Sequence, residues 1–159
     1  MQSGSRKHDP RILGRALWTE TLLRTTGRST APLDGKRLAH ALELDSHPLT
    51  EVRPLEKKIV GNCRDFTLLL VSILRHQDVP ARARCGFGAY FLPDHYEDHW
   101  VAEYWNAEQE RWILIDAQLD EFQCKELNVS FDPLDVSRDQ FIVGGAAWNM
   151  CRFEGADPD

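Results

Sequence analysis

No stretch of this sequence approaches the roughly 20 consecutive apolar residues that a membrane-spanning helix needs. The opening Met1-Gln2-Ser3-Gly4-Ser5-Arg6-Lys7-His8 has no signal-peptide core and reads as a flexible end. Cysteine is sparse, with four residues at 63, 85, 124 and 151, and no pair has CxxC spacing. That argues against a zinc ribbon or a disulfide framework and makes a reducing, cytoplasmic setting the default expectation. Internal repeats and low-complexity tracts are missing as well. So is a basic surplus: net charge is −6. Residues 1–60 carry 11 Lys/Arg against 7 Asp/Glu, a balance of +4, and residues 61–159 carry 8 against 18, a balance of −10. A modestly basic leader on an acidic body is no nucleic-acid footprint, so neither nucleic acid nor membrane is expected as a partner. The charge split equally suits a leader that packs on the acidic remainder.

What is present is the composition of a soluble globular protein, 42% hydrophobic and 28% charged, over 159 residues. That length builds one domain with a real core. The informative stretch runs from Gly61 to Leu74. Phe66, Leu69, Leu70, Ile73 and Leu74 recur at three- and four-residue spacing, which predicts a helix with one buried face. Asn62 is a good N-cap, and Asp65, three residues on, puts a carboxylate in the first turn. The helix must stop near Gln77 or Asp78, ahead of Pro80. Cys63 therefore falls in the first turn. Unpaired N–H groups at a helix start stabilise a thiolate, and also the oxyanion formed when a thiolate adds to an amide. The plainer reading of a lone cysteine there is a buried structural thiol.

Upstream, Asp9-Pro10 opens a helix whose apolar face is Ile12, Leu13, Ala16 and Leu17, ending near Gly27. Leu38 and Leu42 suggest a second, short helix ending by Ser46. Downstream, Ala81 to Phe91 fits a strand in which Gly86 and Gly88 allow close backbone approach or a bulge. Leu92 to Asp98 reads as a polar connection. His99 to Trp105 and Arg111 to Ala117 read as an antiparallel hairpin, and Gln118 to Asp135 as loop anchored at Phe122, Leu127 and Phe131. Ser137 and Gln140 have capping-box spacing and suggest a last helix with Phe141, Trp148 and Cys151 inward. Helices first and a strand meander after make an α+β domain.

A nucleophilic cysteine needs a base, and the base needs an acceptor that fixes its tautomer. His99 opens one strand of the hairpin and Asp116 closes the other, so imidazole and carboxylate are adjacent. For them to stand directly opposite, paired residue numbers must sum to 215, with an even-length connection. Asp98 should point to the other face. His95, His99 and Asp94 lack a clear third metal ligand, and no metal or cofactor is expected. His8, His40, His47 and His76 read as surface or capping residues. Trp100, Tyr104, Trp105 and Trp112 read as core, Cys85, Cys124 and Cys151 as small hydrophobes, and Arg64 as a solvated or paired charge.

Gly61-Asn62-Cys63-Arg64-Asp65-Phe66, then Leu74-Arg75, Val79-Pro80-Ala81-Arg82 and Gly86-Phe87, resembles the core of the transglutaminase-like superfamily. Asp98-His99-Trp100-Val101 through Tyr104, and Arg111-Trp112-Ile113-Leu114-Ile115-Asp116, complete the pattern, which peptide:N-glycanases share. The resemblance implies a papain-like α+β fold, the nucleophile starting a buried helix packed on an antiparallel sheet. Residues 1–8 read as flexible and 9–159 as one domain, comprising a helical part 9–58, the core 59–117 that carries the resemblance, and a C-terminal loop and helix 118–152. The resemblance also implies a triad of Cys63 as nucleophile, His99 as base and acid, and Asp116 as orienter, with the Cys63 N–H as one oxyanion donor. Animal transglutaminases use an upstream Trp; here only Trp18 precedes the cysteine, without matching context, and no calcium-site apparatus is evident. Members of the bacterial kind often continue past the position of Asp159, so the chain reads as a short member or a truncated one. The expectation is thiol-dependent acyl transfer on a peptide or protein amide, hydrolysis rather than cross-linking. The alternative is a non-catalytic module that binds a peptide or partner in the same groove.

Overall fold

Asn62 and Asp65 decide where the central helix begins. The computed structural model describes residues 35–48, 51 and 53–157; the helix expected over Asp9 to Gly27, and Trp18 within it, lie outside that range. The Asn62 side chain accepts from the Asp65 N–H, and the Asp65 carboxylate accepts in return from the Asn62 N–H at 3.0 Å. This reciprocal cap satisfies two donors that a helix start otherwise leaves unpaired. The chain order is α1 (Gly35–Leu44), a 3₁₀ turn (Leu55–Lys57), α2 (Cys63–His76), β1 (Ala81–Leu92), β2 (His95–Asn106) and β3 (Arg111–Ile115). There follow α3 (Glu121–Glu126), β4 (Phe141–Val143), α4 (Gly144–Asn149) and a π-helical turn (Met150–Glu154).

The strands form one antiparallel sheet in the order β3-β2-β1-β4. Side chains alternate across it, and both faces are buried. On one face Leu70, Val71 and Leu74 of α2 pack on Ala81, Ala102, Tyr104, Ile113 and Ile115. On the other, Tyr90, Val101 and Leu114 meet Leu119, Val136 and Phe141 from the C-terminal segment. Burial on both sides explains the unbroken apolar run Trp112 to Ile115, and the expected α+β class is what these elements build.

Several local expectations are corrected. Leu92 to Asp98 is no open connection: Pro93-Asp94 turns the chain, Leu92 pairs with His95, and β2 already starts there. Asp94 supplies the left-handed φ of 55° that the tight turn requires. The last helix does not open at Ser137. Phe141 to Val143 instead joins the free edge of β1, and ladder bonds outweigh the local cap signal. Phe141 is buried as expected, but Trp148 is 67% exposed, and Cys85 and Cys151 are exposed rather than packed. The segment after Gln118 contains α3, and Phe122 on it faces solvent.

The two glycines of β1 act as their types suggested. A Cβ at Gly86 would stand 2.2 Å from the Ile142 carbonyl oxygen, so only glycine lets β4 close on this edge. A Cβ at Gly88 would meet the rings of Phe91 and Tyr90 at 2.8 and 3.1 Å. Immediately beyond Gly88 the β1–β2 register shifts through a bulge, and those rings fold back over the space that glycine leaves.

Candidate active site

Register decides which side chains share a face. In the β2–β3 ladder paired numbers sum to 217, as in Ala102↔Ile115 and Asn106↔Arg111, not to the expected 215. The connection, residues 107–110, has the expected even length, with Glu110 in the left-handed region. A shift of two residues preserves the face but moves Asp116 from directly opposite His99 to a diagonal position just past the end of β3. The side chains still meet. His99 Nε2 donates to Asp116 Oδ2 at 2.8 Å, and both residues are buried. Asp98, adjacent to His99 in β2 and so on the other face by alternation, is exposed.

Cys63 reaches this pair around the edge of the sheet. By alternation His99 lies on the face of Val101, whereas α2 covers the opposite face. β3 stops at Ile115, opposite Ala102, so β2 has no strand partner on that side at Trp100 and His99. The first turns of α2 occupy that gap. Thr67, fully buried, donates its hydroxyl to the Trp100 carbonyl at 2.9 Å and anchors them. Cys63, the first residue of α2, consequently stands near enough to the His99 ring to bear on its charge, and is partly exposed. With Nε2 on Asp116, the ring presents Nδ1 to a second partner.

Asp116 accepts more than the histidine. The Gln118 N–H donates to Oδ1 at 2.9 Å, and the Tyr90 hydroxyl donates to Oδ2 at 2.6 Å. Sequence reasoning missed Tyr90; the Gly86 and Gly88 signal pointed to a bulge but not to the ring it would turn inward. Phe91 also stands edge-on to His99, 4.8 Å between centroids, so the imidazole sits in an aromatic box. Burial disfavours the Tyr90 phenolate, and the Asp116 charge adds to this, so the hydroxyl stays protonated and a donor.

For His99, burial by itself opposes the charged ring. The charge and hydrogen bond of Asp116, with the contact to Cys63, outweigh it and raise the pKa from 6.5 to about 9. A folded value above the unfolded one means that the native state binds the proton more tightly. The resulting stabilisation is complete below pH 6.5 and is lost as pH rises through about 9. The urea midpoint is expected to fall across that window for the wild type, and to fall less for His99→Gln. Identical pH slopes for the two proteins would contradict the coupling.

His95 is exposed and 3.9 Å from Glu97, so it joins neither His99 nor a metal cluster; no group of three metal-ligating residues occurs among the described residues. His40, His47, His76 and Arg64 are at the surface. No helix among the described residues is long and apolar enough to cross a membrane.

Neither a curated protein nor a solved structure matches this chain. A family does: the pattern of the transglutaminase-like superfamily matches residues 38–117, half of the sequence, from α1 through β3 to Asp116. That superfamily includes cysteine enzymes of acyl transfer and hydrolysis. On this match, and with an α+β core compatible with it, the chain belongs to the transglutaminase-like superfamily.

Proposed function

We propose that the chain is a cysteine-dependent acyl-transfer enzyme acting on amides, with water as the principal acceptor. Cys63 is the nucleophile, His99 the general base and acid, and Asp116 the residue that orients the ring. The observation that carries this reading is the buried His99–Asp116 hydrogen bond, with the Cys63 thiol at the helix start near enough to the ring to bear on its charge. A module that only binds a partner requires no such relay.

In the proposed reaction His99 takes the Cys63 proton, the sulfur adds to the amide carbon, and the carbonyl electrons move to oxygen. The Cys63 N–H, unpaired at the helix start, stabilises that oxyanion. Collapse breaks the C–N bond as His99 gives its proton to the departing amine, leaving a thioester. The neutral ring then takes a proton from water, the resulting hydroxide equivalent adds to the thioester, and the acid leaves with the thiolate restored. The aromatic box keeps the imidazole in one orientation through both proton transfers.

The test is a panel of fluorogenic peptide and simple amides, assayed with and without a primary amine. Amine release with the free acid as main product, in both conditions, is the expected result. A predominantly transamidated product would replace hydrolysis with cross-linking. Saturable peptide binding with no bond broken across the panel would favour the binding module.

A further inference from the structure

We propose that Tyr90 is a positioning residue of this site, whose hydroxyl holds Asp116 and sets how strongly that carboxylate retains the proton on His99. The inference rests on the Cys63–His99–Asp116 reading and adds to it a fourth group, which acts through Asp116.

A buried tyrosine hydroxyl needs an acceptor, so a hydrogen bond alone would be ordinary packing. The choice of acceptor is what distinguishes this one. Tyr90 donates to Asp116 Oδ2, the same oxygen that accepts from His99 Nε2. The other oxygen, Oδ1, is already held by the Gln118 N–H. The carboxylate is thus fixed at both oxygens, and the one facing the imidazole divides its charge between two donors. Each donor that shares a charged acceptor weakens the pull on the other.

The fold makes specific provision for this contact. The bulge beyond Gly88 departs from regular pairing with β2, and the bare Cα of Gly88 makes room for the Tyr90 and Phe91 rings. Phe131 packs against the Tyr90 ring with centroids 5.1 Å apart, so the hydroxyl has little freedom to turn elsewhere. Tyr90 is 8% exposed, and water does not readily replace it.

Removing the hydroxyl leaves Oδ2 to His99 alone, so the imidazolium is held more tightly. Strengthening the hydroxyl as a donor does the reverse. The experiment follows the His99 ring by NMR titration in a Cys63→Ala background, which isolates the ring from the thiol. Tyr90→Phe is expected to raise the titration midpoint by about one pH unit, the scale of a charge-assisted hydrogen bond on the pH axis. Site-specific 3-fluorotyrosine at position 90, nearly the same size but a stronger donor, is expected to lower it. Opposite shifts are not produced by a residue that merely fills space. Unchanged midpoints in both folded proteins, or shifts of the same sign, would overturn the proposal; should the Phe protein not fold, the direction of the fluorotyrosine shift decides. Failure of the underlying triad is read separately, in the protein with Cys63 intact. If His99→Ala leaves the rate of Cys63 alkylation unchanged at pH about 7, the thiol–imidazole relay is absent, whatever the ring titration shows.

Discussion

Cys63→Ala is expected to abolish amide turnover, and His99→Ala to come close to it, each with a loss on the order of 10⁴-fold or more, because nucleophile and base act as one unit. Asp116→Asn should cost less but still orders of magnitude. An amide has one oxygen where Asp116 uses two, so it cannot accept from Gln118 and from the shared pair of His99 and Tyr90 at once. Single-turnover assays on whichever amide the panel identifies would read these losses. Limited iodoacetamide treatment at pH about 6–7 provides a test that needs no substrate. Cys63 should be labelled before Cys85 and Cys151, although those two are the more exposed. The ordering separates reactivity from access, since His99 beside Cys63 can take the thiol proton as the sulfur attacks. Labelling that follows exposure, with Cys85 first, would remove Cys63 as the nucleophile.

Glu103→Gln is expected to be strongly destabilising although it lies outside the site and changes the size of the side chain hardly at all. Glu103 is 1% exposed on β2 and accepts from Arg82 Nε at 2.5 Å, Arg84 Nε at 2.7 Å and an Arg138 terminal nitrogen at 2.5 Å. It joins β1, β2 and the segment leading into β4 through one charge. Burial opposes that charge, but the three guanidinium groups outweigh it and hold the carboxyl below its ordinary range. Without the charge, three cations face a neutral amide. Removing one partner of a buried ion pair costs about 3–5 kcal/mol, and the loss here should be near about 3 kcal/mol. The arginine side chains, 31–53% exposed, can relax into water. A depressed folded pKa means that the stabilisation is present above the unfolded value, 4.5, and disappears as pH falls through the lower folded one. The difference in urea midpoint between wild type and Glu103→Gln should therefore be large at pH 7 and shrink below pH 4.5. A constant difference across that range would assign the effect to packing instead.

The sequence by itself determined the elements whose signals are local. Asn62 and Asp65 fixed the start of α2 because a cap involves residues only three apart, and Pro80 fixed its end for a reason of backbone sterics. Alternation and parity placed His99 and Asp116 on one face, since a two-residue error in register leaves the face unchanged. Locality also explains the failures. The Ser137–Gln140 signal competed with an open strand edge on β1 more than 50 residues earlier, which no window around Ser137 contains. Glu103 read as an ordinary strand residue because its arginines come from positions 82, 84 and 138. Only the tertiary structure decided how Cys63 comes near His99. That approach depends on β3 ending at Ile115 and on Thr67 seating the helix start in the gap beside Trp100. Tyr90 entered the site for a similar reason. Glycine announces that a strand can bulge, but the ring that a bulge turns inward depends on what waits on the neighbouring strands, and here that was the carboxylate of Asp116.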